Sequence, residues 1–402
     1  MDTPQTKLRN TYKIDIKKLQ PIRTLNEGAF GKVYLVRDKV SRQKYAAKVI
    51  LYSSKEESYK KMINNEISIM IRIRHPTLIS FYGYSLEDFE GKKNVTILME
   101  YLEKGSLAEY IKKIQSCLAD QEYDNTHRQI ILIGIARGMM FLHQNHVLHR
   151  DLKPANILLD ADFHPHIIDF GLSKFHANDK STISTHECGT TLYMAPETIK
   201  SNKYSIKTDV YSFGILMYEV VTDKPPYPAF KTGELTDYVF KQKVVEENYR
   251  PVFKDPIKKS IKELIESCWS SDPNDRPTFD ELFNKLSFNN EEWIIDVYDG
   301  KETENEYDVN KYFLDNVNAD DVLDYVDEIR EISPTEILMR ENRELKDKMA
   351  DLQKEIKAKD DDIGQLKNSI KEQNKMIKSL MQKLDETQSE IDSLYKNIKL
   401  RC

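Results

Sequence analysis

The sequence of 402 residues is poor in cysteine and glycine and has no long apolar stretch. Its 4 cysteines stand far apart, without the paired spacing of a metal site or a disulfide framework, which favours a reducing compartment. No stretch approaches the roughly 18 consecutive apolar residues that a membrane span needs. The first residues have the features of neither a signal peptide nor a myristoylation site. We therefore expect a cytoplasmic protein, with the nucleus as the alternative, and no membrane partner.

Positive charge is also in the minority, since 60 lysines and arginines face 66 aspartates and glutamates. Nothing in their distribution has the character of a basic nucleic-acid footprint, so we expect no nucleic-acid partner. The acidic excess lies in residues 291–331, where 15 acidic and 3 basic residues give a local net charge of −12. Such a block is usually a solvated surface. Here Val322, Tyr325, Val326 and Ile329 recur at helical spacing, so we interpret the block as an ordered appendage that packs on its neighbour.

Residues 20–50 alternate in the manner of paired β-strands, and a glycine-containing loop joins the first two. Glycine lets a backbone approach phosphate oxygens that a Cβ would exclude, and the free N–H groups then face the anion. A plain hairpin is the alternative. The residues that we expect around the phosphates are Leu25, Asn26, Glu27, Gly28, Ala29, Phe30, Gly31, Lys32 and Val33.

Lys48 lies among apolar strand residues, where a lysine is stable only beside an anion. Two anions are available to it: the α- and β-phosphates of a nucleotide, and Glu66 on a helix predicted over residues 59–74. A glutamate on a helix is ordinarily a surface carboxylate. Glu66 is therefore a candidate only because of the residues that accompany it.

Residues 149–156 read His-Arg-Asp-Leu-Lys-Pro-Ala-Asn, an apolar strand follows, and Asp169-Phe170-Gly171 begins 18 residues after Asp151. Phosphoryl transfer needs a carboxylate for the attacking hydroxyl, oxygen ligands for Mg²⁺ and cations near the γ-phosphate. This segment supplies all three. In order and spacing, the chain resembles the eukaryotic protein kinase family over about residues 20–287.

The resemblance implies ATP and Mg²⁺ as cofactors, a protein as substrate, and a role for each matching residue. Asp151 is the expected catalytic base, and Lys153 is the expected contact of the γ-phosphate. Lys48 and Glu66 are the expected ion pair at the α- and β-phosphates. The expected ligands of Mg²⁺ are Asn156 and Asp169.

The resemblance also predicts where the adenine ring lies. Met99 takes the gatekeeper position, and Glu100 and Leu102 on the following connection offer backbone hydrogen bonds. The glycine loop departs from the family's three glycines, because Asn26 stands at the first, where asparagine's tolerance of positive φ makes it acceptable. The apolar residues expected to sandwich the ring, and so to let the nucleotide complete the core, are Leu25, Val33, Ala46 and Leu158.

The implied fold class is α+β, with a two-lobed kinase fold that has a β-rich N-lobe and a helical C-lobe, followed by a long α-helical coiled coil. The N-lobe is expected at about residues 20–100 and the C-lobe at about residues 101–287. The expected division of the whole chain is an N-terminal extension at 1–19, a kinase domain at 20–287, an acidic linker or packed appendage at 288–334 and a coiled coil at 335–400.

Two buried contacts follow from the resemblance. Arg276 is the expected partner of Glu197, and Asp209, on a central buried helix, is expected to brace the catalytic loop. Arg150, beside the base, is typical of kinases in which a phosphorylated activation segment binds this arginine. An ordinary polar loop is the alternative. The phosphate acceptors in the segment are expected to be Ser184 or Thr185.

The pattern favours serine and threonine as acceptors, because Lys153 and the pair Gly189-Thr190 follow serine/threonine kinases. Cys268-Trp269, in contrast, looks like a tyrosine-kinase feature. This mixture is characteristic of the tyrosine-kinase-like group, whose members mostly phosphorylate serine and threonine.

Two alternatives stay open beside that interpretation. One is a dual-specificity or tyrosine kinase. The other is a pseudokinase scaffold, which uses the fold for assembly without chemistry. Loss of Lys48, Asp151 or Asp169 would mark a scaffold, and all three are present.

From residue 338 the chain repeats apolar residues every three and four positions, a heptad pattern that runs over eight repeats. Five of the eight d positions are apolar, and the other three are Lys359, Gln373 and Thr387. β-Branched residues at a with leucine at d favour a parallel two-stranded coil. We expect a homodimer through residues 338–398, with a heteromeric coil or a single helix as the alternatives. The a positions are Met349, Ile356, Ile363, Ile370, Ile377, Leu384, Ile391 and Ile398.

Overall fold

The computed structural model describes residues 11–28, 31–51, 57–119, 123–175, 190–288, 317–330, 357, 359 and 363–391. The chain divides into two compact units, Met1–Ile332 and Ser333–Cys402. The first unit has a lobe built on a β-sheet and a lobe built from helices. Among the described residues, no helix combines the length and the apolar character that a membrane crossing requires.

The first lobe is a sheet of five antiparallel strands in the order β1-β2-β3-β5-β4. One helix, α1 (Glu57–Arg72), follows β3. It begins and ends two residues before its predicted bounds, and Pro76 disfavours helical backbone at the residue that precedes it. The strands are β1 (Leu19–Gly28), β2 (Gly31–Asp38), β3 (Lys44–Ile50), β4 (Phe81–Ser85) and β5 (Thr96–Glu100).

The second lobe is helical, and its two longest helices are apolar on nearly every side because both are buried. Asp124 and Ser205 begin these two helices, and each side chain accepts a hydrogen bond from the backbone of the first turn. The helices of this lobe are α2 (Leu107–Gln115), α3 (Asn125–Gln144), α4 (Pro196–Ser201), α5 (Ile206–Thr222), α6 (Pro228–Lys231), α7 (Asp237–Glu246), α8 (Lys259–Cys268) and α9 (Phe279–Phe288).

Short strands hold the chemistry-bearing loops between the lobes. Strands β6, β8 and β9 form one small sheet, and β7 pairs with β10 in another. Residues 149–156 connect β7 to β8, and Asp169 lies between β9 and β10. The strands are β6 (Gly105–Ser106), β7 (Val147–Leu148), β8 (Ile157–Leu159), β9 (Pro165–Ile167) and β10 (Lys174–Phe175).

Residues 317–330 are the part of the acidic block that the structure describes, and they end in helix α10 (Ala319–Arg330). The helix packs on α3. At its start the backbone N–H of Asn318 donates to Thr126 Oγ1 at 2.9 Å, and near its end Arg137 Nε donates to the Ile329 carbonyl at 3.2 Å. Four apolar side chains on one face are buried: Val322, Tyr325, Val326 and Ile329.

The second unit is described at residues 357, 359 and 363–391, and the last of these ranges is a continuous helix, α11. Its a and d positions lie along one face, because a seven-residue repeat returns nearly to the same side of a helix. The apolar side chains along it are exposed: Ile363, Leu366, Ile370, Met376, Ile377, Leu380, Met381, Leu384 and Ile391.

Candidate active site

Lys48 lies between two carboxylates. Its Nζ is 2.7 Å from Oε1 of Glu66 on α1 and 2.9 Å from Oδ1 of Asp169. Burial alone would lower the pKa of Lys48, but the attraction of the two carboxylates raises it above its ordinary value. Burial likewise opposes the ionisation of Asp169, yet the Lys48 ammonium lowers the pKa of that carboxyl. The lysine is therefore held as a cation at the edge of the cleft between the lobes.

Asp151 lies at the centre of a second cluster and is 8% exposed. Lys153 Nζ donates to Oδ2 of Asp151 at 2.6 Å and to the hydroxyl of Thr190 at 2.7 Å. The backbone N–H of Thr190 donates to Oδ1 of Asp151 at 3.1 Å. Asn156 completes the cluster, because its amide Nδ2 donates to the Asp151 carbonyl at 2.8 Å and to Oδ2 at 3.0 Å.

Asp209 on α5 fixes the loop that carries Asp151. Its carboxylate accepts from the backbone N–H of His149 at 3.0 Å, from that of Arg150 at 2.8 Å and from His143 Nε2 at 2.9 Å. Burial would raise the pKa of Asp209, but His143, the electrostatic effect of His149 and the backbone N–H of Arg150 lower it. The predicted brace is thus present.

The backbone around these clusters is strained at two positions. Arg150 has a φ of 72° and Asp169 a φ of 67°, a left-handed conformation that costs a residue other than glycine about 1–3 kcal/mol. The hydrogen bonds of Asp209 and the ion pair with Lys48 stabilise these conformations. The Arg150 guanidinium stacks on the ring of Tyr204, 3.8 Å from its centroid.

The first-lobe sheet presents one face to the cleft. Val33 on β2 lies opposite Lys48 on β3, and Ala46 lies opposite Met99 on β5. Directly opposed residues share a face, and so do residues two apart on one strand, so these side chains line the same surface as Lys48. Leu25, Leu102 and Leu158, also predicted at the adenine, are half-buried.

The glycine loop differs from the expectation in two respects. Asn26 lies within β1 opposite Val33 and does not take a positive φ, so the predicted reason for asparagine at this position is wrong. Glycine is required instead at Gly31, where φ is 151° and a Cβ would overlap the carbonyl oxygen of Val49. Glu27 and Lys32 form an exposed ion pair across the hairpin at 2.8 Å. Gly28 is described between them, whereas Ala29 and Phe30 lie outside the described residues.

The oxygen atoms of Asp169 and Asn156 fit Mg²⁺ if phosphate oxygens of a nucleotide supply further ligands. Asp169 offers carboxylate oxygens, and Asn156 keeps its amide oxygen because Nδ2 is the atom used on Asp151. In the described part of the chain, no three His, Cys, Asp or Glu side chains cluster in a way that could hold a metal. Such a site suits Mg²⁺ because this ion takes one or two protein ligands and completes its shell with phosphate oxygens and water.

A family model for the protein kinase domain matches residues 19–288, which is more than half of the chain. The chain belongs to the protein kinase family. The kinase is 29% identical over 276 residues to the serine/threonine-protein kinase STY17 of Arabidopsis thaliana, a match covering 69% of this chain and 45% of that protein. It is 33% identical over 264 residues to the dual specificity protein kinase shkB of Dictyostelium discoideum, covering 64% and 38%. The matches thus span less than two thirds of these relatives' own lengths.

Of the other predicted features of this kinase, one buried ion pair is present, and the expected phosphate acceptors lie outside the residues that the structure describes. Arg276 is buried and donates to Glu197 through Nη1 at 2.7 Å and Nη2 at 2.9 Å, as predicted. The expected phosphate acceptors, Ser184 and Thr185, fall outside the described residues, as does Gly189.

Two contacts of the kinase were not predicted from its sequence. Asn65, next to Glu66, donates from Nδ2 to the carbonyl of Ser173 at 2.5 Å and so ties α1 to the segment after Asp169. His166 on β9 lies between Glu100 and Asp160. Its place next to Glu66 could have marked Asn65 as a residue near the site. His166 could not have been found in this way, because a single histidine in a short strand carries no periodic signal.

Proposed function

We propose that this kinase transfers the γ-phosphoryl group of Mg-ATP to serine and threonine hydroxyls of proteins. The observation that carries the proposal is the contact of Lys153 with both Asp151 and Thr190. The Thr190 hydroxyl also donates to Asp151 Oδ1 at 3.3 Å, which supports an aliphatic hydroxyl as the group that this carboxylate receives.

In the proposed reaction, the substrate's hydroxyl oxygen attacks the γ-phosphorus and the bond from that phosphorus to the bridging oxygen breaks. The hydroxyl proton passes to Asp151. Lys153 neutralises charge on the transferred group from its place 2.6 Å from that carboxylate. Together these residues orient the acceptor and remove its proton.

Lys48 neutralises the α- and β-phosphates while Glu66 and Asp169 hold it in position. Asn156 and Asp169 would hold Mg²⁺, which when bound would offset charge on the phosphate oxygens. Gly28 and Gly31, at the ends of β1 and β2, would let the backbone approach the phosphates. The proposed adenine contacts are Leu25, Val33, Ala46, Met99, Glu100, Leu102 and Leu158.

The test is ³²P transfer from Mg-ATP by the full chain, wild type against Asp151→Asn, with Asp162→Asn as an exposed control. Autophosphorylation and a basic protein substrate are measured separately, and the phosphoamino acids are identified. Phosphoserine or phosphothreonine that disappears only in Asp151→Asn supports the proposal. Absence of transfer by the wild type at several concentrations, also after treatment with upstream kinases, would favour the scaffold.

A dual-specificity kinase is the second candidate function. The observation that favours it is the similarity to shkB and to a second dual specificity kinase of Dictyostelium discoideum, splA, at 32% identity over 300 residues. We place the chain in the tyrosine-kinase-like group on its mixed motifs, which accords with either acceptor. Phosphotyrosine among the products that Asp151→Asn abolishes would decide for dual specificity.

We also propose that the tail dimerises the kinase as a parallel coiled coil of two copies. The apolar seam of α11 supports this, because these residues are exposed on a single chain. In a parallel pair, Met376 at g faces Met381 at e of the second copy, and Gln373 at d faces its own equivalent, where two amides can bond. A second copy of the same chain therefore fits the seam in register.

Dimerisation supplies a route to activation. Linking two kinase domains raises the effective concentration of each for the other, commonly to the millimolar range. We propose that one copy phosphorylates Ser184 or Thr185 of the other, and that the phosphate then binds Arg150. The guanidinium would exchange its stacking on Tyr204 for charge-assisted hydrogen bonds.

A further inference from the structure

His166 is a cationic bridge between the two lobes. Its Nδ1 lies 3.4 Å from Oε1 of Glu100, the last residue of β5, and its Nε2 lies 3.5 Å from Oδ2 of Asp160, which follows β8. The contact with Glu100 is an ionic one without hydrogen-bond alignment. Burial would lower the pKa of His166, but Asp160 and Glu100 raise it to about 9. The imidazole is therefore charged at neutral pH.

Glu100 begins the hinge, the connection of residues 100–102 proposed to bind adenine through its backbone. Its carboxylate accepts from the backbone N–H of Ser80 at 2.6 Å, and its own N–H donates to the Ser80 carbonyl at 3.0 Å. Burial opposes ionisation of Glu100, but His166 and Ser80 lower the pKa of its carboxyl. The position of the hinge backbone thus depends on a half-buried carboxylate that His166 keeps charged.

Helix α10 closes the far side of this cluster. The ring of Tyr325 lies on the imidazole of His164, with centroids 4.4 Å apart, and His164 Nδ1 lies 3.6 Å from Oδ2 of Asp160. Gly134 on α3 makes room for this arrangement, because a Cβ there would overlap both Tyr325 and Pro165. The contacts therefore run without a gap from α10 through His164, Asp160 and His166 to the hinge.

We propose that His166 is a positioning residue for the nucleotide-binding hinge. We also propose that helix α10 acts as a brace, because its packing on His164 keeps Asp160 in place beside His166. The proposal rests on the proposed function only in that the hinge binds ATP. It assigns to the acidic block a role in nucleotide affinity that is exerted, among the described residues, through His164, Asp160 and His166.

The charged groups that face His166 explain why removing its positive charge should disturb the hinge. Glu100 faces it from β5 and Asp160 from the turn between β8 and β9, with His164 on the other side of Asp160. Without the cation, two carboxylates remain partly buried and unbalanced, so Glu100 either takes up a proton or turns outward. Either change weakens its bond to the N–H of Ser80 and loosens the hinge.

The test measures binding of a non-hydrolysable ATP analogue with Mg²⁺ to the full chain by calorimetry, with a thermal melt of each variant. We expect His166→Gln to raise Kd about threefold to tenfold, and His166→Lys, which keeps a cation, to stay near the wild type. Adding Glu100→Gln to His166→Gln should recover part of the loss, because one of the opposed carboxylates is gone.

The brace is tested on α10 itself. Tyr325→Ala removes the ring from His164 and should raise Kd about threefold. Tyr325→Phe should leave Kd unchanged, because no hydrogen-bond partner of the Tyr325 hydroxyl is found among the described residues. Leu323→Ala, on the exposed face of the same helix, is the matched control.

The possible outcomes separate the inference from the proposed function. If Tyr325→Ala and His166→Gln lower the melting temperature but leave Kd unchanged, α10 only stabilises the fold and the inference is wrong. A wild type that binds no nucleotide would overturn the proposed function and the inference together. If His166→Gln raises Kd but Tyr325→Ala does not, the proposed role of α10 in nucleotide binding is wrong.

Discussion

Arg276 and Glu197 are joined at two points in the second lobe, and the arginine side chain is 0% exposed. Removing one partner of a buried pair leaves the other charge without compensation, at a cost of about 3–5 kcal/mol. We predict that Glu197→Ala lowers the free energy of unfolding by this amount, as measured by chemical denaturation. Replacing both residues by apolar ones of similar size should cost less than the single change. An unfolding midpoint within error of the wild type would contradict the prediction.

A second prediction concerns Glu66, the carboxylate that holds Lys48 in position. Glu66→Gln removes one of the two anions beside the lysine but keeps its size. We expect kcat/KM to fall about tenfold to a hundredfold while the melting temperature changes little. Glu263→Gln on the exposed face of α8 serves as the control. Equal activity of Glu66→Gln and the wild type would mean that Asp169 alone positions Lys48.

A third prediction tests the link between α1 and the segment after Asp169. Asn65→Ala removes the hydrogen bond to the Ser173 carbonyl, so Glu66 and Asp169 are held together less firmly. We expect kcat to fall about threefold to tenfold, since small misplacements of catalytic groups have effects of this order or larger. Asn64→Ala changes the neighbouring exposed side chain. If the two variants lose activity equally, the effect belongs to the helix and not to this contact.

A fourth prediction follows from His75, which is 6% exposed. Burial and the charge of Arg137 lower its pKa to about 3. The unfolded chain binds a proton near pH 6.5 and the folded chain does not, so stability is greatest above pH 6.5 and falls as the pH drops towards 3. Between pH 7 and pH 5 this group should cost about 2 kcal/mol of unfolding free energy.

His75→Asn removes that dependence and can still accept from the backbone N–H of Thr77, which bonds Nδ1 at 3.2 Å in the wild type. Chemical denaturation at pH 7, 6 and 5 should therefore give a smaller loss of stability for the variant. Parallel losses in the two proteins would show that other groups dominate this pH range.

A fifth prediction tests the tail. The 402-residue chain should have twice the 47.1 kDa mass of one copy in light scattering. Ile377→Asp with Leu380→Asp places two adjacent negative charges of each copy in the seam and should give monomers, because these like charges would be buried facing one another without a partner. The matched pair, Ser379→Asp with Gln382→Asp, adds the same charge on the outer face and should leave the dimer intact. Monomeric wild type at micromolar concentration would exclude the homodimer.

The proximity of the residues at the candidate site could be predicted from the sequence because these residues come in short, ordered groups. Lys48 and Asp169 are 121 residues apart in the sequence, and Nζ of the first lies 2.9 Å from Oδ1 of the second. Each nevertheless belongs to a short motif from which its role at the site can be predicted. Helical spacing in the acidic block predicted packing, and the four residues concerned are buried in α10. In both cases the information was local.

Contacts without a local pattern were not accessible. His166 and Glu100 are brought together by strands whose relative placement follows from the whole fold, and nothing near either residue indicates the other. At Asn26 the sequence did give a local signal, but it was misleading. The residue type suggested a positive φ, whereas strand pairing opposite Val33 determines the backbone conformation. Tertiary pairing decided both positions.

The packing of α10 on α3 also defines where a fragment of this protein can be cut. The kinase family match ends at residue 288, but four buried apolar side chains of α10 cover α3 beyond that point. A fragment that stops at 288 would expose the face of α3 around Gly134, and exposed apolar patches promote self-association. A fragment that continues to residue 332, the end of the compact unit, keeps this face covered and should be the soluble one.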